Sequence, residues 1–215
     1  ASTTSCGAAP VVKATHKIAA LRTYAYSRPH LKSAPHFIVT MGAGLSIEAR
    51  ENGFVKSPRG HWFPEQHITA IETLEDDPAA VAERYLRAPY LWGGCESLGL
   101  DCTGLTRAAY LACGVTLPRD SDMQFAWGGD ALEDWRDPGV LARGDLVFWK
   151  GHVGIMLDAD TLLHANAYHM AVAAEPLSGA IERIAKIYGE PTGARRVDVF
   201  KERGRIPNWL AAGRR

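Results

Sequence analysis

Near residues 70–77 the texture of the sequence changes, and any fold of this chain has to respect the break. From Lys17 to Ile68 short β-rich runs alternate with turn signals. Leu21–Tyr26 alternates, Phe37–Met41 is apolar, Gly42 and Gly44 precede Leu45, Asn52-Gly53 precedes Phe54-Val55, and Arg59-Gly60 precedes Trp62-Phe63. About five short strands in about 50 residues read as a small β-barrel. After Thr69 the signals become helical. Asp76-Asp77-Pro78 offers a cap with proline at the first helical position, predicting a helix over Ala79–Arg87. A glycine-rich loop, Trp92-Gly-Gly-Cys-Glu-Ser-Leu-Gly, leads into a second helix starting near Asp101. There Leu105, Ala108, Ala109 and Ala112 form an apolar stripe that Gly114 ends. Ser121 to Gln124 reads as a capping box for a third, short helix. The remainder reads as β: Leu146–Trp149, Val153–Leu157, Thr161–Ala165 and Val197–Phe200. Helices first and antiparallel strands after them predict an α+β domain. The predicted organisation is a flexible N-terminus over 1–14, a β-barrel domain over 15–72 and an α+β domain over 73–215.

Composition excludes several classes of function. The 215 residues carry 24 basic and 24 acidic side chains, so a nucleic-acid binder or a polybasic membrane-surface protein is not expected. With 47% hydrophobic residues the chain can bury a core, yet no apolar run approaches the roughly 20 residues that span a bilayer. Residues 1–10 lack the pattern of a signal peptide. Four cysteines (Cys6, Cys95, Cys102, Cys113) are too scattered for a disulfide framework, and no pair has a zinc-ligand C-x2-C spacing; the thiol chemistry read below needs neither metal nor cofactor.

Cys102 stands apart by position, in the first turn of a helix entered from a glycine-rich loop. Unpaired amides there favour thiolate over thiol, the form that attacks acyl carbons. Cys113, at the end of an apolar helix, fits a buried hydrophobe instead. His152 opens an otherwise apolar strand in which Val153, Ile155 and Leu157 face the core, while Gly154 leaves space beside the ring for another element such as the Cys102 helix. If Leu157 pairs with Thr161 across the turn Asp158–Asp160, His152 pairs with Asn166 and His164 is its diagonal neighbour. Either residue can then orient the imidazole, with His169 a third choice.

The segments Tyr90-Leu-Trp92-Gly-Gly, Asp101-Cys102-Thr103-Gly-Leu, Leu-Pro-Arg119-Asp120-Ser121, Arg-Gly-Asp145-Leu-Val-Phe and His152-Val-Gly-Ile occur in that order over about residues 78–200. Together they resemble the NlpC-type family of papain-like cysteine peptidases, which cut bacterial cell-wall peptides. The β segment before them resembles the bacterial SH3-like module that accompanies such domains. The Tyr-x-Trp-Gly-Gly loop and Arg-Asp-Ser segment resemble the γ-D-glutamyl-L-diamino-acid endopeptidases. Thr103 departs from the family's usual serine. The resemblance implies Cys102 as nucleophile, His152 as base and then acid, and His164 rather than Asn166 as orienter. The Cys102 amide and the Tyr90 hydroxyl would hold the oxyanion, and Trp92, Asp101, Thr103, Asp120 and Ser121 would line the substrate pocket. It further implies a cell-wall-derived peptide substrate with free N-terminal L-Ala, the first domain walling off the cleft, and Asp120 or an acid such as Glu48 on its ammonium. Recycling of short wall peptides would place the protein in the cytoplasm, and a removed leader would place it in the periplasm or outside. The rival expectations are a thioester-forming acyltransferase of the papain-like class and a non-catalytic wall-binding module. Oligomeric state is not legible.

Overall fold

The structure, a computed structural model, describes residues 13–207 and Leu210, so the expectations for the N-terminal tail and Cys6 lie outside the described residues. The chain divides between Thr73 and Leu74. In the N-terminal unit, turn residues cut the chain into eight described strands: β1 (His16–Ile18), β2 (Arg22–Tyr26), β3 (Pro35–Thr40), β4 (Gly44–Leu45), β5 (Ala49–Glu51), β6 (Phe54–Lys56), β7 (Trp62–Pro64) and β8 (Ile68–Ala70). They form a three-stranded sheet, β4-β1-β8, and a five-stranded sheet, β3-β2-β7-β6-β5. Asn52 and Gly53, both left-handed at φ 51° and 76°, make the two-residue turn between β5 and β6. Ile18, Ala25, Val55 and Phe63 form the buried centre. The sequence reading predicted about five strands. The additional ones are at most three residues long, too short to show an alternation.

The C-terminal unit begins with α1 (Pro78–Glu83), capped by Asp77, whose Oδ1 accepts from the amides of Ala79 and Ala80 at 2.9 and 3.1 Å. The helix stops before the predicted Arg87, which adopts φ 67° and turns the chain away. Two short strands, β9 (Cys95–Glu96) and β10 (Gly99–Leu100), hold the glycine-rich loop ahead of α2 (Cys102–Ala112). Gly114, at φ 82°, follows that helix. In α3 (Ser121–Trp127) the N-cap is Asp120, so Ser121 is already helical and no capping box forms. The Gln124 side chain instead donates to the Pro118 carbonyl at 2.9 Å and accepts from Thr106 at 2.8 Å.

After β11 (Asp130–Ala131) come β12 (Leu146–Trp149), β13 (His152–Met156), β14 (Thr161–Asn166), β15 (Ala171–Pro176), α4 (Leu177–Tyr188), β16 (Gly193–Arg196) and α5 (Val199–Glu202). The sheet order is β11-β16-β12-β13-β14-β15 and every pair is antiparallel. Two expectations are corrected here. The stretch after residue 146 is not all β, because Leu177, Ala180 and Ile184 lie at helical spacing and bury α4 against Val147, Trp149, Met156 and Leu162. Residues 197–200 are not a strand: Asp198 caps α5 by accepting from Lys201 at 3.0 Å, and the ladder lies earlier, in β16. Both faces of β13 are buried, since α2 packs across β13 and β14 while α4 packs on β14 and β15. Among the described residues no helix is long and apolar enough to cross a membrane.

Candidate active site

The start of α2 is built by close backbone packing. Asp101 caps the helix, its Oδ1 accepting from the Gly104 amide at 2.7 Å and the Thr103 hydroxyl at 3.0 Å, while Oδ2 accepts from the Gly93 amide at 3.0 Å. One carboxylate therefore ties the glycine-rich loop to the first helical turn. Arg119 donates to this carboxylate and to the Thr103 hydroxyl, and its guanidinium holds the Asp101 carboxyl below the usual range against the opposing effect of burial. Neither Asp101 nor Thr103 presents a free polar group: both are buried and face each other and Arg119. Arg119 is the residue that spacing could not assign, because its partner lies 18 positions away.

Cys102 opens α2 and is buried, with the backbone amides of Val153, Thr103 and Cys102 itself directed at its sulfur. Val153 directly follows His152, so the thiol meets the very beginning of β13. Burial is nevertheless the largest influence on the thiol and pushes it up to about 11. The helix-start amides act in the direction expected for a thiolate, and desolvation acts against them. His152 is pushed down to about 3, again by burial first, with the neighbouring His164 adding to it. Burial thus disfavours an isolated thiolate and an isolated imidazolium alike in this site. Alkylation of Cys102 by iodoacetamide, followed in a Cys95→Ser background, should therefore rise about tenfold per pH unit between about pH 6 and 9. A rate already level above about pH 5 would instead show a preformed thiolate–imidazolium pair.

The hairpin register places the two histidines together. The Leu157 amide donates to the Thr161 carbonyl at 2.8 Å and Met156 pairs with Leu162, which puts His164 on the face of β14 shared with His152. His152 Nε2 lies 2.8 Å from His164 Nδ1. Nδ1 of His152 is the ring nitrogen outside this pair. Asn166 is not the partner: its Oδ1 accepts from the His169 amide at 2.8 Å and faces His169 Nδ1 at 3.0 Å. Gly154 does not make room for the Cys102 helix as expected, since a Cβ there would lie 2.6 Å from Leu162 Cδ1 and 3.2 Å from His164 Cβ. Its small size admits the cross-strand neighbours. Behind His164 stands Glu175 of β15, with an oxygen 2.7 Å from Nε2, and Arg183 of α4 pairs with that same oxygen. Neither was singled out from the sequence.

Tyr90 is set by strand-like bonds to the β14–β15 hairpin. The amides of Arg87 and Tyr90 donate to the carbonyls of Val172 and Met170 at 2.9 and 3.0 Å, and the Val172 amide returns a bond to Ala88 at 2.9 Å. Burial raises the Tyr90 phenol above its ordinary value, and charge on Cys102 would raise it further, so the hydroxyl stays a donor. Trp92 is 85% exposed at the loop tip. Asp120 is exposed and makes no side-chain capping bond, whereas Ser121 is buried. Among the described residues, His164, His169 and Glu175 offer ligand atoms within 4.8 Å of one another, but the Arg183 guanidinium already pairs with that carboxylate and opposes a cation.

Residues 87–185 match the sequence model of the NlpC/P60 family, a cysteine peptidase family. The γ-D-glutamyl-L-lysine dipeptidyl-peptidase of Bacillus cereus is 34% identical over 120 residues, which is 51% of this chain and 34% of that protein. The enzyme of the same name from Bacillus subtilis is 31% identical over 136 residues, 56% of this chain and 44% of that protein. This chain spans less than half the length of these curated relatives. The crystal structure of an NlpC/P60 family protein from Bacillus cereus superposes with a TM-score of 0.66 at 27% identity, covering 85% of this chain and 62% of the other.

Proposed function

We propose that the NlpC/P60 domain of this chain is a cysteine peptidase that hydrolyses the bond between the γ-carboxyl of D-glutamate and a diamino acid in bacterial cell-wall peptides. Its substrates are short muropeptides, diaminopimelate-containing ones included, with a free N-terminal L-Ala. The observation that carries the reading is the 2.8 Å His152–His164 pair at the start of a strand whose next amide faces the Cys102 sulfur. In this reading His152 Nδ1 takes the thiol proton as sulfur attacks the γ-carbonyl. Coupling the two events avoids a lone buried charge, which the opposed shifts of the two groups show to be unfavourable. The Cys102 amide, free of an intrahelical partner in the first turn, and the Tyr90 hydroxyl receive the oxyanion. His152 returns the proton to the leaving amine, and water, deprotonated by the same ring, releases the thioester.

Asp120 is the acid assigned to the substrate ammonium, because Asp101 is engaged by Arg119 and Glu48 lies 3.5 Å from Lys56. In this reading Trp92 and Ser121 line the substrate pocket with Asp120, and Asp101 and Thr103 hold the start of α2 beside it. The N-terminal unit is assigned as an SH3-like module on its short, turn-punctuated strands. Recycling of wall peptides, with the cytoplasm as compartment, is the role that follows from so short a substrate.

Mass-spectrometric product mapping tests the proposal. L-Ala-γ-D-Glu-diaminopimelate should yield L-Ala-D-Glu, and acetylating its N-terminus should lower kcat/KM by at least about tenfold, the size of one lost charge-assisted contact. Preference for blocked or polymeric substrate would remove the free-amine specificity. Acyl transfer to added amines in place of hydrolysis would identify an acyltransferase.

A further inference from the structure

The second ring of the histidine pair is wholly buried, and polar groups continue behind it. Behind His152 the polar groups form a single file: His152 Nε2 is 2.8 Å from His164 Nδ1, His164 Nε2 is 2.7 Å from Glu175, and Glu175 pairs with Arg183. His164 is wholly buried, so the protein alone determines which of its nitrogens carries hydrogen. Burial acts to raise the Glu175 carboxyl, yet His164 and Arg183 together hold it below its ordinary value, so it is ionised. An ionised carboxylate only accepts hydrogen bonds. His164 Nε2 must therefore carry a proton, which makes Nδ1 a lone pair. That lone pair in turn demands a proton on His152 Nε2. The remaining nitrogen, His152 Nδ1, is left bare.

We propose that Glu175, anchored by Arg183, is a positioning residue that selects the tautomers of both histidines and so leaves His152 Nδ1 as the basic nitrogen facing Cys102. The opposite arrangement puts an N–H against the thiol, and no proton can then leave the sulfur. Glu175 touches neither substrate nor sulfur; it acts through His164. Arg183 has a second role. It balances the carboxylate, so that Glu175 can orient His164 without drawing a permanent positive charge onto either ring. Register explains why the carboxylate arrives in place: His164 pairs with Ala173 and Leu162 with Glu175, which makes Glu175 the diagonal cross-strand neighbour of His164 on the same face.

This inference rests on the catalytic reading of Cys102, His152 and His164, and its test separates the two. Imidazole nitrogens are observed by long-range 15N–1H correlation in the intact chain, and kcat and KM are measured on L-Ala-γ-D-Glu-diaminopimelate. In the wild type both His152 and His164 should carry hydrogen on Nε2. Glu175→Leu should lose that signature at His164 and lower kcat by about tenfold to a hundredfold, the effect of deleting a group that orients a catalytic imidazole, with KM within about twofold. Glu175→Gln, whose amide oxygen still accepts, should keep the signature and most of the activity. A wild-type His164 protonated on Nδ1 overturns the proposal, and this spectrum decides even if Glu175→Leu does not fold. So does a folded Glu175→Leu with unchanged kcat. If Cys102→Ala still cleaves while the Nε2 signatures are present, the catalytic reading fails and the tautomer assignment stands.

Discussion

Replacing Cys102 with alanine should lower kcat/KM for L-Ala-γ-D-Glu-diaminopimelate by about 10⁴-fold or more, the scale seen when a nucleophile acting as one unit with its base is removed. No other described group can take over. Cys95 is exposed on the loop with its sulfur 3.6 Å from the Gly93 carbonyl, and Cys113 lies buried at the far end of α2. The substitution removes one sulfur from a buried site and should leave the chain folded, so a near-native melting curve together with lost cleavage isolates the chemistry. Cleavage at the wild-type rate in a folded Cys102→Ala protein would dismiss the peptidase assignment.

Gly104→Ala should destabilise the C-terminal unit by about 1–3 kcal/mol, the range for forcing an atom into a filled space. A Cβ at Gly104 would lie 2.2 Å from the Gly94 carbonyl oxygen and 3.2 Å from Asp101 Oδ1. The Gly94 carbonyl cannot simply retreat, because it accepts from the Asp101 amide at 3.1 Å and a Cβ on Gly94 would itself lie 2.3 Å from the Gly99 oxygen. Three glycines thus let the loop lie directly on the helix start. Helix propensity alone predicts the reverse sign, since alanine is favoured over glycine by about 1 kcal/mol inside a helix. Thermal denaturation distinguishes the two: a raised melting temperature would refute the close packing. Activity should fall further than stability, because the displaced loop carries Trp92 and the displaced carboxylate caps the turn that holds Cys102.

Local grammar made the core of the site readable. Asp101 before an apolar helical stripe places Cys102 at a helix start, and a three-residue turn between two apolar runs is enough to put His164 diagonal to His152. What could not be read depends on distant pairing or on burial. Glu175 sits in Ala-Val-Ala-Ala-Glu-Pro, where nothing marks it until β15 is aligned on β14. Arg119 looks like part of a turn until its guanidinium reaches Asp101. At Cys102 the amide field of a helix start is visible in the sequence, while the depth of the sulfur that opposes it is not. The helix α4 was overlooked for another reason. Its apolar spacing is present, but it follows a strand directly through Pro176 with no polar cap to announce it.

The bonds from Arg87 and Tyr90 to the backbone of Val172 and Met170 make the Tyr90 segment a stitched extension of the β14–β15 hairpin. The bend at residues 167–170, remote in sequence from the tyrosine, therefore works as an adjusting screw for the phenol. Lengthening or trimming that bend would shift the phenol and would also reach the imidazoles, because Tyr168 in the bend lies under the guanidinium of Arg183, which pairs with Glu175 behind His164.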